Sequence, residues 1–214
     1  GDGVALYQLN GNADDVSGNY DGTATSVTYG AGEFGQAAVF NGSNSVVTLP
    51  SALSDGVTTD ATCISFWFNV GSEITSATPN NEIMNFAQSS SNSGKIAIGS
   101  TTGNFAGETF SVTSDVTSQY TYITENIPAG WNHAVVQWNS FTAKWDIYIN
   151  SVAKSTNTFG TNEQGKLALK FGNRSSYYYN GSLDQVRIFN RALRPYEVES
   201  LYTEELCVCG GTVD

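Results

Sequence analysis

Residues 177–202 read YYYNGSLDQVRIFNRALRPYEVESLY, and this one stretch carries both kinds of element that the chain uses. From Leu183 to Ile188 the side chains alternate, Leu183, Gln185 and Arg187 against Val186 and Ile188, with the period of two that belongs to a β-strand. A short helix follows. Pro195 suits its first turn, where a missing N–H costs nothing. Glu197 and Glu199 favour the positive N-terminal end, and Val198, Leu201 and Tyr202 share a face. The helix is expected to close one end of the molecule. One residue fits neither pattern: Asp184, a lone carboxylate at the start of the strand.

The period of two recurs along the rest of the chain. In residues 64–70, ISFWFNV, the apolar set Ile64, Phe66, Phe68 and Val70 faces one way. WNHAVVQW (131–138), KWDIYIN (144–150) and KLALKFG (166–172) read as further strands, and shorter candidates such as QAAVFN, SVVTL, EIMNFA, KIAIG, ETFSVT and YTYIT lie between them. GN, GSN, SDG, NSG and PAG clusters separate the runs, and each is a turn former for steric reasons. About a dozen short strands with this punctuation predict an all-β, antiparallel sandwich of the jelly-roll kind with one short C-terminal helix. The 214 residues suffice for one well-buried core.

Composition narrows the function classes. The net charge is −11, with only 14% of residues charged. Nucleic acid, which demands a basic surface, is not an expected partner. No apolar run approaches the length of a bilayer span, so membrane insertion is not expected either. Of the three cysteines, Cys63 lies inside an apolar strand and reads as a buried thiol, while Cys207 and Cys209 lie in the final CVCGGTVD. With a single His, a structural zinc site lacks ligands. Residues 207–214 are expected to be a tail leading to a further segment, after one domain over residues 1–206.

Paired carboxylates with the spacing of a glycoside hydrolase, E-x-D-x-x-E, do not occur. His133, between Trp131 and Ala134 in a strand, reads as a structural residue, and no Ser–His–acid grouping is legible. The expectation is that the chain is not an enzyme. Two other features are candidates for binding. Tyr177, Tyr178 and Tyr179 run consecutively, and three adjacent rings on a strand cannot all be buried; an exposed ring packs at a sheet edge or stacks on the C–H face of a sugar. In Asp15-Val16-Ser17-Gly18-Asn19 and Asp21-Gly22 one carboxylate lies in a tight turn. Such a turn either aims hard oxygens at a calcium ion or is closed by Asp15 capping its own backbone.

Taken in order, LYQLNGNADDVSGNYDGTAT, YGAGEFGQAAVFNGSNSVVTLP, ATCISFWFNV, WNHAVVQWN, WDIYIN and YNGSLDQVRIFNRALRPYEVESLY resemble a laminin-G-like jelly roll of the concanavalin-A-like lectin/glucanase superfamily, over Leu6 to Tyr202. The opening is most similar to versions carried on phage virion proteins. The resemblance implies that Asp184 returns to the N-terminal turn and shares a structural calcium with Asp15 and carbonyls near Asn19 and Gly22. The alternative from the residues alone is that Asp184 pairs with Arg187 or an amide. The resemblance further implies a non-catalytic, lectin-like module on the surface of a virion or in the extracellular space. Its partner would be a cell-surface glycan or polysaccharide. A structural module of a virion or filament, as a homo-oligomer or within a larger assembly and without a glycan, is the other reading.

Overall fold

The computed structural model describes residues 3–53, 62–79, 81–85, 94–99, 107–113, 120–139, 141–142, 144–154, 156–159, 170–174 and 177–204. Strands β1 (Gly3–Tyr7), β3 (Thr28–Ala31), β4 (Gln36–Asn41), β6 (Cys63–Val70), β11 (Gly130–Asn139), β12 (Lys144–Ile149), β13 (Val152–Ala153) and β18 (Asn180–Phe189) form one sheet. Its order is β13-β12-β11-β6-β18-β4-β3, with β1 also paired to β18. The second sheet has the order β14 (Asn157–Phe159), β10 (Tyr120–Ile123), β9 (Phe110–Thr113), β8 (Lys95–Ile98), β7 (Asn81–Asn85), β15 (Lys170–Phe171), β5 (Val46–Thr48), β2 (Thr23–Thr25). The pairings within both sheets are antiparallel. β16 (Asn173–Arg174) and β17 (Tyr177–Tyr178) make a separate two-stranded ribbon. The antiparallel sandwich expected from the alternation is what forms.

The core lies between the two sheets. From the first come Ile64, Phe66, Phe68, Val70, Ala134, Val136, Trp138, Trp145 and Ile147, and from the second Met84, Ile96, Ile98, Phe110, Val112, Ile123 and Phe171. Trp138 and Trp145 meet edge to face, with ring centroids 5.6 Å apart. Burying a side chain of this size contributes on the order of 2 kcal/mol, so the interlocked inner faces dominate the stability.

β18 departs from the simple alternation. Its register against β6 shifts between Asp184 and Arg187, and Gln185 adopts φ 47. The extra residue of this bulge puts Leu183, Val186 and Ile188 together in the core. Asp184 is paired opposite Trp67 on the outer face.

The helix α1 (Pro195–Tyr202) begins as expected. Glu197 reaches back to accept the Arg194 N–H at 2.8 Å and is gripped by both Arg191 guanidinium nitrogens, at 2.8 and 2.6 Å. These contacts hold its carboxyl down at about 2. The helix lies on the outer face of the first sheet rather than at an end of the sandwich. Val198 and Leu201 pack against Cys63, Val135 and Leu193, and Tyr202 stacks on Trp67 at 5.6 Å. The reason is the outward apolar set Cys63, Val135, Tyr148 and Phe189, which needs a cover. The tail expected at 207–214, with Cys207 and Cys209, lies outside the described residues.

Candidate functional site

The N-terminal turn is built around Asp15. Tyr7 and Asp15 form a bridge, and Val16 N–H donates to the Leu6 carbonyl. The buried Asp15 carboxylate accepts the Leu6 N–H at 2.9 Å and the Ser17 hydroxyl. Burial pulls this carboxyl upward, but the Ser17 hydroxyl and the amides of Leu6, Ser17 and Asn19 outweigh it and hold the pKa below its ordinary value. The N–H groups of the two residues expected to offer carbonyls, Asn19 and Gly22, are engaged within the turn. The Asn19 amide bonds the carboxylate, and Gly22 N–H donates to Ala13 O at 2.9 Å. Asp15, Asn19 and Gly22 thus lie in one hydrogen-bonded turn, with both Asp15 carboxylate oxygens already accepting N–H and O–H donors.

Asp184 is elsewhere and is in a different condition. It is fully buried, its Oδ2 accepts the Phe34 N–H at 2.8 Å, and its Oδ1 has no hydrogen-bond partner. Burial pushes its pKa up to about 6, against the pull of the amides of Phe34, Gln185 and Glu33; the nearby Glu33 charge adds to the rise. The turn at 32–36 comes so close that a Cβ on Gly32 would sit 2.6 Å from Asp184 Oδ2 and 2.7 Å from the Gln36 carbonyl oxygen. Arg187 is not its partner; that guanidinium pairs with Glu204 at 2.6 Å. Asp15 and Asp184 therefore face separate turns. Among the described residues no three His, Cys, Asp or Glu side chains gather as for a metal. Asp184 Oδ1 is the one carboxylate oxygen of the expected set, Asp15 and Asp184, that has no hydrogen-bond partner.

The tyrosine run divides three ways. Tyr177 on β17 is 47% exposed, Tyr178 is half-buried, and Tyr179 is completely buried. Tyr179 packs on Phe40, with centroids 5.7 Å apart, and its hydroxyl donates to Asn69 O at 2.9 Å. Gly181 makes room for it, since a Cβ there would lie 2.5 Å from the Tyr179 hydroxyl. Tyr179 is therefore a core residue and has no face for a ligand. His133 is likewise internal. It shares a 2.8 Å hydrogen bond with Ser65 and packs against Trp67, and burial followed by the Arg187 charge lowers its pKa to about 3, which keeps the ring neutral.

A third feature was not singled out from the sequence. On the face of the second sheet turned away from the core, Lys95 Nζ meets Glu82 Oε1 at 2.9 Å, and both side chains are buried. Glu108, just before β9, is 2% exposed, and neither of its oxygens makes a hydrogen bond. Burial raises its pKa to about 7, against the pull of the nearby Ser111 hydroxyl and the Lys95 charge. Thr113 Oγ1 also lacks a partner. The available signal was polar residues inside otherwise apolar strands, Glu82 in NEIMN, Lys95 in KIAI and Ser111 in FSVT.

Two packed antiparallel sheets with a helix on one outer face define a jelly-roll sandwich. A laminin-G-like family model, described as the concanavalin A-like lectin/glucanases superfamily, matches residues 41–199. The chain belongs to that superfamily. No curated protein matches it. Among solved structures it is similar to domain 4 of AbnA, a GH43 extracellular arabinanase from Geobacillus stearothermophilus, in complex with arabinotriose. The TM-score is 0.64 at 23% identity, over 94% of this chain and 98% of that one. A structure of botulinum neurotoxin type C, whose cell entry depends upon interaction with two ganglioside molecules, gives 0.68 at 15% identity. The binding domain of botulinum neurotoxin DC in complex with rat synaptotagmin II gives 0.67 at 14%. Each covers 94% of this chain, which spans 51% of either toxin chain. At these identities the likeness is one of fold.

Proposed function

We propose that the chain is a non-catalytic carbohydrate-binding module that works in the extracellular space or on a virion surface and attaches its parent protein to a glycan. The observation that carries this reading is the β16–β17 ribbon, which presents the half-exposed ring of Tyr177 beside the more enclosed Tyr178. Ring faces with amides close by, Asn173 here paired with Tyr178, match the C–H faces and hydroxyls of a sugar. Arabinotriose on the arabinanase domain and gangliosides on the toxin are in keeping with such a role for this fold. The non-catalytic part rests on Glu82 being held by Lys95 and on His133 being sealed under Tyr202 and Trp67.

A structural calcium belongs to the same proposal, with Asp184 as its carboxylate ligand and the 32–36 turn around it. It would neutralise a buried charge and tie that turn to the closing strand. A glycan panel run with calcium and again with chelator tests the reading. Selective binding that falls with Tyr177→Ala supports it; a folded protein that binds nothing on the panel refutes it.

One observation favours the second reading, an assembly module with a protein neighbour. An apolar groove of about 340 Å³ runs beside β1, lined by Val4, Leu6, Val16 and Ile188, with Val16 62% exposed. A concentration-independent oligomer in light scattering, lost on Val16→Asp, is the result expected if that groove is an interface.

A further inference from the structure

Between the end of β18 and the first turn of α1 the chain encloses an open cavity of about 570 Å³, lined by Arg191, Ala192, Arg194, Tyr196 and Glu197. This is the size of a small-ligand cleft. It faces solvent: Ala192 and Arg194 are exposed, and Tyr196 is 59% exposed. None of its residues belongs to the Tyr177 ribbon or to the turn under Asp184.

The charges around the cavity are unevenly committed. Arg191 grips both oxygens of Glu197, at 2.8 and 2.6 Å, and the Arg194 N–H donates to one of them at 2.8 Å. These contacts keep Glu197 ionised, so it and Arg191 make a closed, neutral pair on one wall. The Arg194 guanidinium is left over. It donates to the Tyr196 hydroxyl at 3.3 Å, and among the described residues no carboxylate forms an ion pair with it.

A guanidinium without a carboxylate, beside an exposed ring, is a surface with two parts. The planar fork takes a carboxylate through two parallel N–H···O bonds. The ring takes the C–H face of a sugar. Two guanidinium charges against one carboxylate repel a cation, and a neutral sugar gains nothing from the free charge. A sugar that bears its own carboxylate, such as a uronate residue, meets both parts. The rest of a chain of net charge −11 repels an acidic glycan, which confines its binding to this cavity.

We propose that this cavity is a site for an acidic saccharide, with Arg194 binding the sugar carboxylate, Tyr196 stacking on the sugar ring and the Arg191–Glu197 pair fixing the wall beside them. The inference rests on the reading of the chain as a saccharide-binding module. It adds a second site, apart from Tyr177, and gives that site a ligand class.

The test is calorimetric titration of the full chain with uronate oligosaccharides, and with the same oligosaccharides carboxyl-reduced to neutral sugars. Wild type is compared with Arg194→Gln, Tyr196→Ala and Tyr177→Ala. Arg194 and Tyr196 are exposed, so their variants should melt where the wild type does. The expected result is uronate binding that weakens with added salt and survives Tyr177→Ala. It should fall roughly tenfold or more with Arg194→Gln and with Tyr196→Ala, and the reduced sugars should not bind. Uronate binding that is unchanged by Arg194→Gln, or that is matched by the reduced sugars, overturns this site; its loss with Tyr177→Ala would then leave the ribbon reading intact. A folded wild type that binds neither series overturns this site alone, since the ribbon reading falls only with the whole glycan panel.

Discussion

Asp184 offers the sharpest test, because replacing it by Asn should act in opposite directions with and without calcium. Its pKa is raised from 3.8 to about 6, with burial as the main cause. At about 1.4 kcal/mol per pH unit, the ionised form near neutral pH carries a penalty of about 3 kcal/mol. Asp184→Asn removes that charge and keeps an acceptor for the Phe34 N–H. The amide nitrogen that replaces Oδ1 would lack an acceptor, at a cost of about 1–2 kcal/mol. In chelator at pH 7.5 the variant should therefore be more stable by about 1–2 kcal/mol, or roughly 2–8 °C for a domain of this size. With millimolar calcium the order should reverse, since ligand binding to the native state stabilises only the chain that still has its ligand. The assay is a pair of melting curves for each protein. A wild-type midpoint that does not respond to calcium, with the variant above it in both buffers, would refute the calcium assignment and leave the buried-charge argument standing.

Other expectations follow from the same geometry. Tyr179→Ala should destabilise by about 3–5 kcal/mol through the cavity beside Phe40, and Tyr179→Phe by about 1 kcal/mol through the lost hydrogen bond to Asn69 O. Tyr177→Ala should leave the midpoint within experimental scatter and cut glycan affinity. Gly172→Ala places a Cβ 2.2 Å from Phe40 Cδ1 at a backbone with φ +94, so a loss of about 3 kcal/mol is expected in denaturant titration. Glu108 binds its proton more tightly in the folded state, with a pKa raised from 4.5 to about 7. Its contribution to stability is full below about pH 4.5 and is lost as the pH rises through 7, up to about 3 kcal/mol in all. Glu108→Gln should flatten that part of the pH–stability profile, and an unchanged profile would show that Glu108 does not titrate in this window.

The sandwich was legible because an inner face writes itself into the sequence as alternation: Ile64, Phe66, Phe68 and Val70 were assigned to one face, and all four are core. β18 broke the rule where the backbone did. Nothing in GSLDQVRIF marks Gln185 for a positive φ, and the bulge is visible only once Asp184 and Arg187 are seen against Trp67 and Ser65. The helix start was legible from Pro195 and Glu197, whereas its place on a sheet face depends on Cys63 and Val135, which lie far away in sequence. The tyrosine run held too little information to say which ring turns inward; that is decided by the space Gly181 leaves under Tyr179. Glu82 and Lys95 belong to no motif, and only strand register brings them onto one face.

The two outer faces of the sandwich differ in what they bury. On the first sheet, Trp67, His133 and Ser65 lie under Tyr202, Cys63 and Val135 lie under Val198, and Phe34 folds over Trp67 at 5.7 Å. That face is covered by an apolar layer of the chain's own making, and the buried carboxylate Asp184 within it carries the calcium proposal. The outer face of the second sheet has instead a lysine, two glutamates and two hydroxyls at positions where valine or isoleucine would pack without penalty. Glu82, Lys95, Ala97, Glu108 and Thr113 are nonetheless buried to the same degree as Cys63, Val135 and His133, so the chain itself covers this face too. On that argument substitutions over α1 and substitutions around Ala97 should both register mainly as stability, with Glu108→Gln relieving a buried charge and Val135→Asp creating one.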